Sequence, residues 1–162
     1  MTDLKNLLTP IYLSEKEIRK IIELMFFAYR DFTSGPDELL SKINFGRAHH
    51  RIIYFVGKNE KLTIKNLLSI LQITKQSLSR VLSQLVKNKY IKISTGTDKR
   101  TKTLELTNKG KKLEKNLSDI QIKKIRKIMK NVDEENINGF KTLLFNMIDE
   151  KNKLIFKKID KT

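Results

Sequence analysis

Gln76, Arg80, Ser83, Gln84 and Lys87 could serve one chemistry, hydrogen bonding to an anionic, oxygen-rich partner. At about 100° per residue on a helix they share one side, while Leu78, Val81, Leu82 and Leu85 share the other within an arc of roughly 100°. A merely solvated helix face mixes Glu with Lys to gain i,i+4 pairs. This face carries amides, hydroxyls and cations and no carboxylate. With Lys75 and Ser79 beside them, these groups match the oxygens of a phosphate backbone and the base edges of a major groove. A second cationic feature is the run TGTDKRTKTLELT at 95–107, where Asp98 directly precedes Lys99 and Arg100. A carboxylate at the tip of a cationic loop needs its own reason.

The elements that must position these groups are legible on either side. Thr63 caps a short helix carrying Ile64, Leu67, Leu68 and Leu71. After the tight connection QIT, Thr74 caps a second helix that runs to about Lys87. Two helices joined in this way form a helix-turn-helix. YIKIS and KTLELT then alternate apolar with polar residues, so Ile91, Ile93, Leu104 and Leu106 share one face of a β-hairpin. Such a hairpin after a helix-turn-helix is a wing, able to reach a minor groove or the flanking phosphates.

Further helices flank this unit. Residues 14–33 place Ile18, Ile21, Ile22, Met25, Phe26, Tyr29 and Phe32 at helical spacing, with Ser14 and Glu17 as a capping box and SGPDE as the stop. A helix over about 46–57 turns Ile52, Ile53 and Val56 inward. Residues 107–131 and 133–158 supply two more, the second capped by Asp133. The fold class expected is mainly α with a small β-hairpin wing. Residues 46–106 would form the winged helix-turn-helix, and 1–45 with 107–162 the helical dimerisation extensions.

Composition agrees with an anionic partner. The 162 residues carry 34 basic and 18 acidic side chains, a formal charge of +16, and cations gain free energy by displacing counterions from phosphates. Lysine supplies 27 of those 34 cations, and a compositional bias toward lysine accounts for much of the total; placement therefore decides. Without Cys, disulfides, thiolate metal sites and cysteine redox sensing are excluded. No apolar run approaches the roughly 18 residues of a membrane span, and MTDLKNLLTPIYL lacks the basic and apolar regions of a secretory signal. The expected setting is cytoplasmic and nucleoid-associated, with no membrane partner.

The stretch ITKQSLSRVLSQLVKNKYIKIS…DKRTKTLELTNKG resembles the MarR family of winged-helix transcriptional regulators. The likeness rests on the recognition helix, an Asp-x-Arg wing at Asp98-Lys99-Arg100, and a Leu-Thr-x-x-Gly start of a long helix at Leu106, Thr107 and Gly110. Upstream, FFAYRDFT…FGRAHHRIIYFV is especially similar to the PetP-like branch, so the resemblance covers essentially the whole chain. It implies a homodimer on a pseudo-palindromic duplex, regulating nearby genes and often responding to a small ligand. One departure is Lys89, where the family usually has Gly; Asn88 is then expected to supply the left-handed residue at the helix end.

Within that frame Lys75, Lys99 and Lys102 bind phosphates, and Gln76, Ser79, Arg80, Ser83 and Gln84 read base edges. Arg100 enters the minor groove, where narrow A-tracts concentrate negative potential. Asp98 holds the Arg100 guanidinium in a two-pronged pair before DNA arrives, which answers why a carboxylate stands there. An effector pocket, placed by family analogy, lies near Tyr29, Arg30, Arg47, His49 and Arg51. His49 and His50 point about 100° apart on a helix, so one metal ion could not use both; no cofactor or metal is expected. An enzyme is disfavoured, since no nucleophile pair, phosphate-cradling Gly loop or metal cluster is present. The competing reading is a non-specific architectural nucleic-acid binder, against which the base-reading amides and hydroxyls count. A winged helix turned protein-interaction module is opposed by the carboxylate-free face.

Overall fold

The computed structural model describes residues 13–95 and 101–160. The chain divides into two compact units, Met1–Gly35 and Pro36–Thr162. The described part of the first belongs to α1 (Glu15–Ser41). This helix opens with the Glu17 amide 3.4 Å from Ser14 Oγ, half of the expected capping box. Ile18, Ile21, Ile22, Met25, Phe26 and Phe27 are all exposed along it.

The expected stop at SGPDE is overturned, because α1 runs through Gly35 and Pro36 to Ser41. Proline in a helix interior removes one amide donor and crowds the preceding turn. Burial outweighs that cost: Pro36 and Leu40 are both fully buried, and Leu40 joins the main apolar cluster. One turn earlier, the Thr33 hydroxyl makes contacts of 3.1 Å with the carbonyls of Tyr29 and Arg30.

The second unit continues through α2 (Arg47–Lys58), β1 (Leu62–Thr63), α3 (Ile64–Leu71), α4 (Lys75–Lys87), β2 (Ile91–Thr95), β3 (Lys102–Leu106), α5 (Asn108–Met129), α6 (Glu134–Asn146) and α7 (Glu150–Asp160). The hairpin is antiparallel and pairs Ile91 with Leu106 and Ile93 with Leu104. Sequence alternation does not reveal β1, which pairs with the other edge of β3 and makes a three-stranded sheet in the order β1-β3-β2. Two residues are too few to show an alternation.

The core gathers Ile52, Ile53 and Val56 of α2, Leu67 of α3, the four inward residues of α4, and Ile91, Leu104 and Leu106 of the hairpin. Leu113 and Leu117 of α5 close it. Ile93 shares the inward face with Ile91 yet stays 42% exposed, because it lines an open groove beside α4. The single helix expected over 133–158 is two. The amide of Met147 bonds to Leu143 and that of Ile148 to Phe145, and the Asp149 carbonyl then accepts the amides of Asn152 and Lys153 to start α7. An acidic pair, Asp149 and Glu150, favours a new helix N-terminus there. Asp133 does stand at the start of α6, but its side chain makes no capping bond. Among the described residues no helix is long and apolar enough to cross a membrane.

Candidate nucleic-acid interface

The orientation of α4 follows from its buried side. Leu78, Val81, Leu82 and Leu85 are all below 9% exposed, so helical periodicity turns Lys75, Gln76, Ser79, Arg80, Ser83, Gln84 and Lys87 outward, and each is exposed. The turn before it is closed by Gln72, in the left-handed region with φ 53. Thr74 then caps α4 by accepting the Ser77 amide at 3.1 Å. This leaves the first turn of α4, with its Lys75 and Gln76, directed at solvent with its amide dipoles favouring an anion.

The far end of α4 is held by a two-bond stop. The Tyr90 amide reaches back to the Leu85 carbonyl and the Lys89 amide to Val86, both at 2.9 Å, the pairing of a Schellman motif. Lys89 itself takes the left-handed conformation, φ 61, whereas Asn88 stays at φ −86. The expectation for Asn88 is thus corrected: the strain sits on the residue that occupies the glycine position. Asn88 Nδ2 instead donates to the Gln84 carbonyl at 2.8 Å.

The start of α5 locks onto this stop. Thr107 Oγ1 donates to the Lys89 carbonyl at 2.6 Å, and its own backbone amide donates to the Tyr90 carbonyl at 3.0 Å. Lys109 Nζ donates to the Asn88 carbonyl at 3.0 Å and lies 4.2 Å from the centre of the Tyr90 ring. Gly110 is required by contact, because a Cβ there would overlap the Tyr90 carbonyl.

On the wing, Lys92 and Glu105 face each other across the ladder and pair at 2.8 Å. The ion pair and its hydrogen bond hold the Glu105 carboxyl below its ordinary range. The ladder ends at Thr95 opposite Lys102, and Lys102 is exposed. Asp98, Lys99 and Arg100 lie outside the described residues. Between α4 and the wing runs a groove of about 460 Å³. Its polar lining is Lys75, Ser79, Ser83, Lys87 and Lys102, over a floor of Leu78, Leu82, Val86 and Ile93. Five of the nominated residues therefore come together around one cationic trough.

Gln84 has a partner that local sequence patterns do not reveal. Its Oε1 lies 2.6 Å from Nε2 of His49 on α2, 35 positions away. His49 is buried and stacks on Phe45 at 4.3 Å between ring centres. Two other residues of the expected effector pocket have ion-pair partners of their own. Arg47 pairs with Asp37 at 2.8 Å, and Arg30 with Asp31 at 2.9 Å while lying over the Phe27 ring. Burial pushes His50 below its ordinary pKa, against the opposing pull of Asp37 and Glu114. The sequence also marks the region by charge: from Lys61 to Thr97 there is no carboxylate at all, against seven cations.

A sequence profile described as MarR family matches residues 43–101. The HTH-type transcriptional regulator PetP of Rhodobacter capsulatus is 42% identical over 142 residues, which is 87% of this chain and 86% of that protein. The chain belongs to the MarR family. Solved structures share the fold of this MarR-family chain. FabT of Streptococcus pneumoniae, in complex with DNA, gives a TM-score of 0.72 at 20% identity, covering 80% of this chain and 94% of its own. The Staphylococcus aureus MepR–DNA complex gives 0.61 at 22%, covering 77% and 93%. At those identities the likeness is one of fold, and the groups on α4 of this MarR-family chain must argue for themselves.

Proposed function

We propose that this protein is a sequence-specific double-stranded DNA-binding transcriptional regulator that acts as a homodimer on a pseudo-palindromic operator. The observation that carries the proposal is the outer face of α4. Seven exposed donors and cations stand on a helix whose other side is core, with no carboxylate among them. Lys75, Lys87 and Lys102 contact phosphates around the groove, joined by Lys99. Gln76, Ser79, Arg80, Ser83 and Gln84 read base edges. Ser83 spends its hydroxyl proton on the Ser79 carbonyl at 2.7 Å, so it meets DNA as an acceptor. Arg100, positioned by Asp98, enters the minor groove. Residues 46–106 form the DNA-binding domain, and 1–45 with 107–162 the dimerisation region.

The dimer is supported by the apolar side chains left in water. Phe26 is 74% exposed on α1, and Leu143 and Leu154 are each about two-thirds exposed on α6 and α7. Large apolar side chains left exposed on each of these helices mark interaction faces. Two copies would set their α4 helices one DNA turn, about 34–36 Å, apart. A small-molecule effector near Tyr29, Arg30, Arg47, His49 and Arg51 rests on family analogy alone.

The test is a titration of the protein's own upstream DNA against a shuffled duplex across a salt series. A preference of about a thousandfold for the first, with both weakening as salt rises, is the expected result. Arg80→Ala should cost about 1–3 kcal/mol on the preferred duplex and flatten the preference. Equal loss on both duplexes would demote Arg80 to a phosphate contact. Equal affinity of the wild type for every genomic fragment would favour an architectural binder.

A further inference from the structure

His49 is better placed to act on α4 than on an effector. Its Nδ1 accepts the backbone amide of Gly46 at 3.1 Å. A nitrogen that accepts an N–H has no proton of its own, so the ring proton must sit on Nε2. That nitrogen is 2.6 Å from Gln84 Oε1, and the contact is then Nε2–H donating to the carboxamide oxygen. A half-turn of the ring would set carbon atoms against Gly46 and Gln84 and forfeit both bonds, so the ring keeps this setting. It is stacked on Phe45 with an interplanar angle of 5°, and Phe45 is in turn edge-on to Tyr90 at 5.3 Å. One backbone amide thus fixes a tautomer, the tautomer orients the Gln84 carboxamide with its oxygen toward His49, and its NH2 is the end offered to a partner.

We infer that His49 is a specificity-positioning residue, which holds Gln84 so that it presents its hydrogen-bond donors and favours acceptors on the DNA. A freely turning Gln pairs with adenine in a bidentate way, accepting from N6 and donating to N7. His49 holds the Gln84 oxygen toward α2 through one of its two lone pairs, which disfavours turning that oxygen to adenine N6 or cytosine N4. Gln84 then suits guanine O6 and N7, or thymine O4. The inference rests on the proposed reading of α4 as the base-reading helix.

The experiment is selection of bound sequences from a pool of randomised duplexes by the full-length protein and three variants, Gln84→Ala, His49→Phe and Gln84→Glu. His49→Phe keeps a ring for Phe45 to stack on and removes the donor; Gln84→Glu, on the surface, keeps the contact to His49 and turns an acceptor outward. The wild type is expected to prefer guanine or thymine at one position per half-site. Gln84→Ala and His49→Phe should each lose about tenfold of that preference at that same position and leave the others intact. Gln84→Glu should shift it to cytosine, whose N4 donates. A wild-type motif that His49→Phe leaves whole, or a Gln84→Glu motif with guanine retained, overturns the inference alone. If the wild type enriches no motif, the sequence-specific reading falls and takes this inference with it.

Discussion

The carbonyl of Tyr90, two residues past the end of α4's cap, occupies the space that any side chain at Gly110 would need. Residue 110 lies in the first turn of α5, where Ala ordinarily gains about 1 kcal/mol over Gly. Contact reverses that sign here, because the obstacle is backbone and is itself held by the Thr107 amide. Gly110→Ala should destabilise by about 1–3 kcal/mol, the usual cost of overpacking. Urea unfolding reads it directly, and an unchanged midpoint would mean that α5 can slide away from α4.

Lys89 predicts the opposite sign at a neighbouring place. A side chain at φ 61 costs about 1 kcal/mol relative to glycine. Neither hydrogen bond of the helix stop uses the lysine side chain, since both are backbone bonds. Lys89→Gly is therefore expected to raise the unfolding free energy by about 1 kcal/mol, net of the freedom glycine adds to the unfolded chain. A fall in the urea midpoint would show that the lysine contributes more than strain.

For the wing, charge counting and pre-positioning disagree. Removing an acid from a DNA-facing tip strengthens attraction by simple electrostatics. Yet ordering an arginine on binding costs about 0.5–1.5 kcal/mol, which Asp98 would have met beforehand. Asp98→Ala is expected to weaken operator binding several-fold in a fluorescence-anisotropy titration. Tighter binding would leave Asp98 with no positioning role.

Phe26 offers a measure of the dimer. A charge at an exposed aromatic anchor costs about 2 kcal/mol or more in association. Phe26→Asp should then raise the dimer dissociation constant about thirtyfold or more, which sedimentation velocity at micromolar concentrations would reveal. A wild type already monomeric there would remove the palindromic-site argument.

The parts of this fold that rest on local rules were legible. Thr63 and Thr74 cap the helices they were expected to cap, and the buried side of α4 is the apolar arc read from its spacing. What escaped local reading depends on distant partners. Pro36 and Gly35 spell a stop in isolation, and only the burial of Pro36 and Leu40 keeps α1 going. Likewise Gln84 looks like a freely turning base-reading amide until α2 brings His49 to orient it. Asn88 and Lys89 could not be ranked by residue type, because the choice belongs to the two backbone bonds that end α4.

The bonds from Thr107 and Lys109 to the carbonyls of Lys89 and Asn88 have a mechanical side. With the Thr107 amide bonded to the Tyr90 carbonyl, they join the end of α4 to the start of α5 at three neighbouring points, with Gly110 leaving no slack between them. Two rods pinned in this manner behave as a crank: torque on the 22-residue α5 arrives at α4 as a swing of the whole reading head, with little lost to bending at the joint. In a homodimer such a swing would change the gap between the two heads, measured against the fixed pitch of the duplex.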